Sequence, residues 1–139
     1  WYLECVAKMG PEEILPGVAS FLREARKQGF SIALGSASKN AVPILEQTGL
    51  LSAFDQIVDG TVVTTSKPDP HVFLEGARRL GLAPEQCLVF EDAEAGIEAA
   101  HNGGMRSIGV GDPNVLHRAH RVIQSFKEIP DPSALIHTL

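Results

Sequence analysis

Cys87-Leu88-Val89-Phe90-Glu91-Asp92, followed by Ala93-Glu94-Ala95-Gly96-Ile97-Glu98-Ala99-Ala100, is the stretch on which the fold turns. Four apolar residues in succession read as a strand covered on both faces, the habit of a parallel sheet. Two acids end it. A helix then sets Ala93, Ile97 and Ala100 inward, and Gly103-Gly104 stops it.

Outward from there the unit recurs. Upstream, Val18, Phe21, Leu22 and Ala25 fall at helical spacing, with Gly29 where a C-terminal cap belongs. Phe30-Ser31-Ile32-Ala33-Leu34 then reads as a strand opening into Gly35-Ser36-Ala37-Ser38-Lys39-Asn40, a small polar segment. Asn40 is a good N-cap and Pro43 fits only a first turn, so the next helix starts near Asn40. Phe54-Asp55-Gln56-Ile57-Val58 is a weak strand. In Ser66-Lys67-Pro68-Asp69-Pro70, a stiff loop, Asp69 and Pro70 read as N-cap and first residue of a helix that buries Val72, Phe73, Ala77 and Leu80. Ser107-Ile108-Gly109-Val110 is a further strand and Val122-Ile123 a weaker one. Strands alternating with helices predict an α/β fold, a parallel sheet with helices on both faces.

Such sheets bind ligands beyond the carboxyl ends of their strands, which singles out residues 36–40, 66–69 and 91–92. The Ser36 hydroxyl and nearby N–H groups either donate to phosphate oxygens at a helix N-terminus or satisfy their own turn. Lys39 and Lys67 are either solvated loop lysines or, for Lys67 on its stiff loop, a phosphate clamp. Glu91 and Asp92 are costly neighbours unless a cation relieves them, and hard carboxylate oxygens suit magnesium. The alternative is that Asp92 caps the following helix while Glu91 faces solvent.

The 139 residues suffice for one domain, and 12 basic against 17 acidic side chains, net charge -5, predict no general attraction to nucleic acid or anionic membrane. With 44% hydrophobic and 21% charged residues the chain is of the globular class. Cys5 and Cys87 lie far apart without a metal-spaced companion, which fits a reducing cytoplasm. His71, His101, His117, His120 and His137 form no ligand-spaced pair and read as surface residues. Gly109-Val110-Gly111 lacks the third glycine of a dinucleotide fingerprint. Residues 1–10 are neither a signal peptide nor a membrane span. Their pattern is that of an amphipathic helix, as in a piece of a longer protein.

Taken in order, Ser36 after a strand, Lys67 before a proline and the Glu91-Asp92 pair resemble the haloacid dehalogenase (HAD) superfamily of phosphotransferases. The resemblance covers nearly the whole chain and is nearest to the family's sugar-phosphate mutases. It implies a HAD-like Rossmannoid sheet and magnesium-dependent phosphoryl transfer through an aspartyl-phosphate, interconverting β-glucose 1-phosphate and glucose 6-phosphate. Ser36 and the Ala37 backbone would bind the transferring phosphoryl group and Lys67 would neutralise it. Glu91 and Asp92 would hold Mg2+. Ser38, Lys39 and Asn40 would grip the sugar's other phosphate. The alternatives are a sugar-phosphate phosphatase of the same family, or a non-catalytic remnant that only binds phosphate. A small-molecule sugar phosphate is the expected partner, with no nucleic acid, no membrane, and a monomer at full length.

The chain also departs from the family pattern. The nucleophile and the acid/base are two aspartates in an Asp-x-Asp motif ending the family's first strand, and no Asp-x-Asp occurs in these 139 residues. Residues 1–15 are therefore expected to be the end of a helical cap and its linker, with a last cap helix over 1–9, and residues 16–139 the C-terminal portion of the core. The sheet is expected to lack its central strand, leaving two edges facing a gap. Such a chain is expected to be catalytically inactive and poorly folded by itself.

Overall fold

The computed structural model describes residues 3–7 (backbone only), 17–36, 39–128 and 132. The elements run β1 (Leu3–Ala7), α1 (Val18–Lys27), β2 (Ser31–Gly35), α2 (Ala41–Thr48), β3 (Gln56–Val58), α3 (His71–Leu80), β4 (Cys87–Glu91), α4 (Glu94–Asn102), β5 (Arg106–Val110) and β6 (Arg121–Ile123). The six strands form one sheet in the order β3-β2-β1-β4-β5-β6, and every pairing is parallel. The α/β expectation holds.

The period-2 alternation of the strands sorts the core into two layers. Ile32 and Leu34 of β2 and Leu88 and Phe90 of β4 face α1 and α2, with Phe21, Leu22 and Leu45. Ala33, Cys87 and Val89 face the other way, onto Val72, Phe73 and Ala77 of α3 and Ala99 and Ala100 of α4. On the first face the rings of Phe21, Phe90 and Phe126 close a triangle with centroids 5.1 to 5.2 Å apart, within the range where aromatic pairs attract. Cys87 is buried, and its thiol donates to the Ala83 carbonyl at 3.5 Å. No helix among the described residues is long and apolar enough to cross a membrane.

Three expectations are corrected. The gap at the centre of the sheet is filled: Leu3–Ala7, expected within a cap helix, is a strand paired with β2 on one side and β4 on the other. The physical reason lies in those two edges. Each offers a row of backbone donors and acceptors that is costly to leave unpaired, and a short segment with Val6 and Cys5 satisfies both while helical propensity over so few residues is worth little. Residues 8–16, which would carry the boundary between cap linker and core, lie outside the described residues. Asn40 stands at the N-cap of α2 but makes no side-chain capping bond. The N-cap of α3 is Pro70 and its first residue His71. Asp69 still satisfies the helix start, since its Oδ1 accepts the His71 N–H at 2.8 Å.

Candidate active site

The chain runs β1, β2, β3 outward on one side, then returns across β1 to lay down β4, β5 and β6 on the other. This reversal puts the crevice beyond the carboxyl end of β1. Ala7 pairs with Gly35, and Val6 with Phe90, so Ser36 and Glu91 follow directly on either side of that end.

Lys67 reaches the crevice from a loop tied at several points. Asp59, buried at the end of β3, accepts the Thr61 N–H on its carboxylate at 2.9 Å, and its carbonyl accepts the N–H groups of Val62 and Val63. Val63 is buried against the α3 face. Further on, the Asp69 N–H donates to the Ser66 carbonyl, and Asn102 of α4 donates its Nδ2 to the Pro68 carbonyl at 3.1 Å. The Lys67 ammonium, on a side chain only 14% exposed, is 2.8 Å from Oε2 of Glu91 and 4.9 Å from the centroid of the Phe73 ring. Charge, hydrogen bond and ring quadrupole converge on one nitrogen.

Glu91 does not face solvent. It is 1% exposed, and Oε1 accepts the N–H groups of Asp92 and Ala93 at 3.1 and 3.2 Å while Oε2 takes Lys67. Burial pushes its carboxyl above the ordinary range; Lys67 pulls the other way, and the neighbouring Asp92 adds to the rise. Asp92 is exposed. The two carboxylates thus play different parts, Glu91 locked into the protein and Asp92 open to a ligand.

Ser36 is buried and lines, with Val63, Thr65, Lys67 and Val72, a recess of about 10 Å³, room for a water-sized group only. Its N–H donates to the Val58 carbonyl at 2.9 Å. Ala37 and Ser38 lie outside the described residues. Lys39 and Asn40 are exposed at the start of α2. The structure brings Ser36, Lys67 and Glu91 together, with Asp92 next to them.

Two residues of the site, Phe73 and Gly96, escape a reading of the sequence. Phe73 looks there like one more apolar helix position. Gly96 carries a signal, a glycine inside an alanine-rich helix where glycine is disfavoured.

Mg2+ binds through one or two carboxylates plus phosphate and water. Asp92 offers an open carboxylate, and Glu91 beside it is a buried acid whose ionised form a cation would favour. The open Asp92 carboxylate fits a magnesium ion, whereas Glu91, expected beside it as a ligand, has Oε1 on the Asp92 and Ala93 N–H groups and Oε2 on Lys67. No group of three or more His, Cys, Asp or Glu occurs among the described residues. The histidines divide. His71, His117 and His120 are exposed. His101 is half-buried on the Ser107 hydroxyl at 3.1 Å, with its ring edge-on to His120.

A parallel sheet covered on both faces, with a lysine, a serine and paired carboxylates at its carboxyl edge, defines an α/β protein whose ligand crevice is lined by one cation and two acids. The haloacid dehalogenase-like hydrolase family matches residues 2–104, and the chain belongs to that family. A β-phosphoglucomutase of Bacillus subtilis (strain 168) is 36% identical over 92% of this chain and 57% of its own length. A fructose-1-phosphate phosphatase of Escherichia coli (strain K12) is 40% identical over 60% of this chain and 45% of its own. The crystal structure of β-phosphoglucomutase from Clostridium difficile superposes with a TM-score of 0.84 at 35% identity, covering 93% of this chain and 57% of that one. The chain spans less than two thirds of the length of each.

Proposed function

We propose that this chain supplies the phosphate-neutralising and metal-holding side of a phosphoryl-transfer site acting on a sugar phosphate, of the β-phosphoglucomutase type. The observation that carries the reading is the Lys67 ammonium fixed by Glu91 beside Ser36, at the carboxyl edge where this fold takes its ligand.

In this reading Lys67 meets the charge that spreads over the equatorial oxygens of the transferring phosphoryl group. Its ammonium is already desolvated and aimed, so little reorganisation accompanies the reaction. Ser36 bounds the same recess and orients a phosphoryl oxygen. Asp92, with Glu91, would hold magnesium, which when bound supplies charge neutralisation and a fixed geometry for phosphate oxygens. Lys39 and Asn40, exposed at the start of α2, meet the non-reacting phosphate of a bisphosphate, assisted by Ser38. That cationic position favours a mutase over a phosphatase.

No Asp-x-Asp is available among the 139 residues. Lys8, Met9 and Gly10 follow β1 in the sequence, where the family places its nucleophile. The chain by itself is accordingly expected to form no phosphoenzyme. The phosphatase relative supports a second reading, release of phosphate from a sugar phosphate to water.

The test uses the protein that carries this chain, with β-glucose 1-phosphate, magnesium and a trace of glucose 1,6-bisphosphate. Glucose 6-phosphate supports the mutase, and inorganic phosphate as the product supports the phosphatase. Lys39→Ala is expected to impair the first far more than the second. If neither glucose 6-phosphate nor inorganic phosphate forms, the proposal is refuted.

A further inference from the structure

Gly96 is the third residue of α4 and is buried. Its backbone does not call for glycine: it is not among the residues with positive φ. In a helix interior alanine is the better residue, and Ala95, Ala99 and Ala100 surround it. The reason for a glycine lies across the space it leaves open. A Cβ on residue 96 would fall inside the Glu91 carboxyl, overlapping Cδ, Cγ and Oε2. Oε2 is the atom that holds the Lys67 ammonium, and the same carboxyl group takes the Asp92 and Ala93 N–H groups on Oε1.

We propose that Gly96 is a positioning residue of the phosphate site: the missing methyl group creates the seat of the Glu91 carboxylate, and through it sets where the Lys67 ammonium stands. The proposal rests on the reading of Lys67 as the phosphate-neutralising group. With a methyl at 96, Glu91 leaves its seat. Two N–H groups at the end of β4 lose their acceptor, and the ammonium loses its anchor and turns to solvent.

Gly96→Ala, Glu91→Ala and the double variant test this by amide NMR, thermal unfolding and titration with inorganic phosphate in the presence of magnesium. In Gly96→Ala the Asp92 and Ala93 amide proton resonances are expected to move in the same direction as in Glu91→Ala, a signature that mere helix packing would not give. Phosphate affinity is expected to fall about tenfold or more, the scale of one charge-assisted hydrogen bond. In the Glu91→Ala background the added methyl is expected to raise the melting temperature, because only its helix propensity remains. Unmoved amide resonances, or a melting temperature lowered as much in that background as in the parent, overturn the proposal. If Gly96→Ala does not fold, folding of the double variant supports it and failure of the double variant refutes it. A parent protein that does not bind inorganic phosphate refutes the functional reading, while the amide and melting results still decide the role of Gly96.

Discussion

Replacing Lys67 by methionine isolates the energetics of the site. The substitution keeps most of the stem that crosses Phe73 and removes the charge, leaving Glu91 buried with only the Asp92 and Ala93 N–H groups. Removing one partner of a buried ion pair costs about 3–5 kcal/mol, because the remaining charge stays desolvated. The Lys67 side chain is 14% exposed and that of Glu91 0%, and Oε1 keeps its two donors, so about 3 kcal/mol, the low end, is the expectation. Glu91→Gln by itself costs less, about 1 kcal/mol, since the ammonium can turn to water and an amide oxygen can still accept both N–H groups. The double variant has no stranded charge and is expected near the Glu91→Gln value, a coupling of about 3 kcal/mol between the two positions.

The sign with pH follows from the direction of the Glu91 shift. Its carboxyl titrates above the ordinary glutamate range because of burial, and without Lys67 it moves further up. A carboxyl with a raised folded pKa contributes its full stability below the unfolded value, about 4.3, and loses it as pH rises through the folded value. The Lys67→Met deficit should therefore be largest at neutral pH and shrink on acidification toward pH ~4. Urea unfolding followed by far-ultraviolet circular dichroism, at unchanged m-value, gives the four free energies. A Lys67→Met cost below about 1 kcal/mol, or single costs that add within about 0.5 kcal/mol, would refute the reasoning.

Three further outcomes are expected. Phe90→Ala removes the ring shared by Phe21 and Phe126 and should cost about 3–5 kcal/mol in urea unfolding, whereas Phe90→Leu should cost clearly less. Asp55 accepts the Ile32 N–H on Oδ2 at 2.8 Å and pairs with Arg26 through Oδ1, so Asp55→Ala should cost about 1–2 kcal/mol for the abandoned strand donor and Arg26→Ala about 0.5 kcal/mol or less for the exposed pair. His101 is held below its ordinary value by burial, then by His120 and Arg118. Its stabilising contribution is present above about pH 6.5 and is lost as pH falls through the lower folded value, and His101→Gln should flatten that part of the pH profile of the urea midpoint.

How much of this was legible in the sequence depends on the range of the interactions involved. β4 and its acids were plain because a fully buried strand needs nothing but its own residues to look apolar, and the helix faces of α1 and α3 follow from their own spacing. The strand Leu3–Ala7 was not legible, since its conformation is imposed by the open edges of β2 and β4, far along the chain. The pairing of Lys67 with Glu91 was hidden for a related reason. Both residues were candidates, each with a bland alternative beside it, and only the family resemblance implied phosphate for Lys67 and metal for both acids. Which way an acid at a strand end turns is decided by the space beside it, and here that space is opened by the absent side chain of Gly96.

The same pairing bears on how the proposed phosphate site works in an acidic chain. Lys67 offsets only one of its two neighbouring carboxylates, so Lys67, Glu91 and Asp92 together carry a net negative charge when both acids are ionised. A phosphate dianion approaching these residues alone meets repulsion at short range, in surroundings where burial strengthens it. The lysine therefore serves to place a positive group at one defined point, and the balance of charge must be reversed by something else at Asp92. A divalent cation there would do so, and Lys39, exposed just before α2, is a second positive group a few residues beyond the end of β2. In such an arrangement affinity for the anion depends on the metal, whereas the geometry of the neutralising group does not, because Glu91 and Phe73 set it from within the protein.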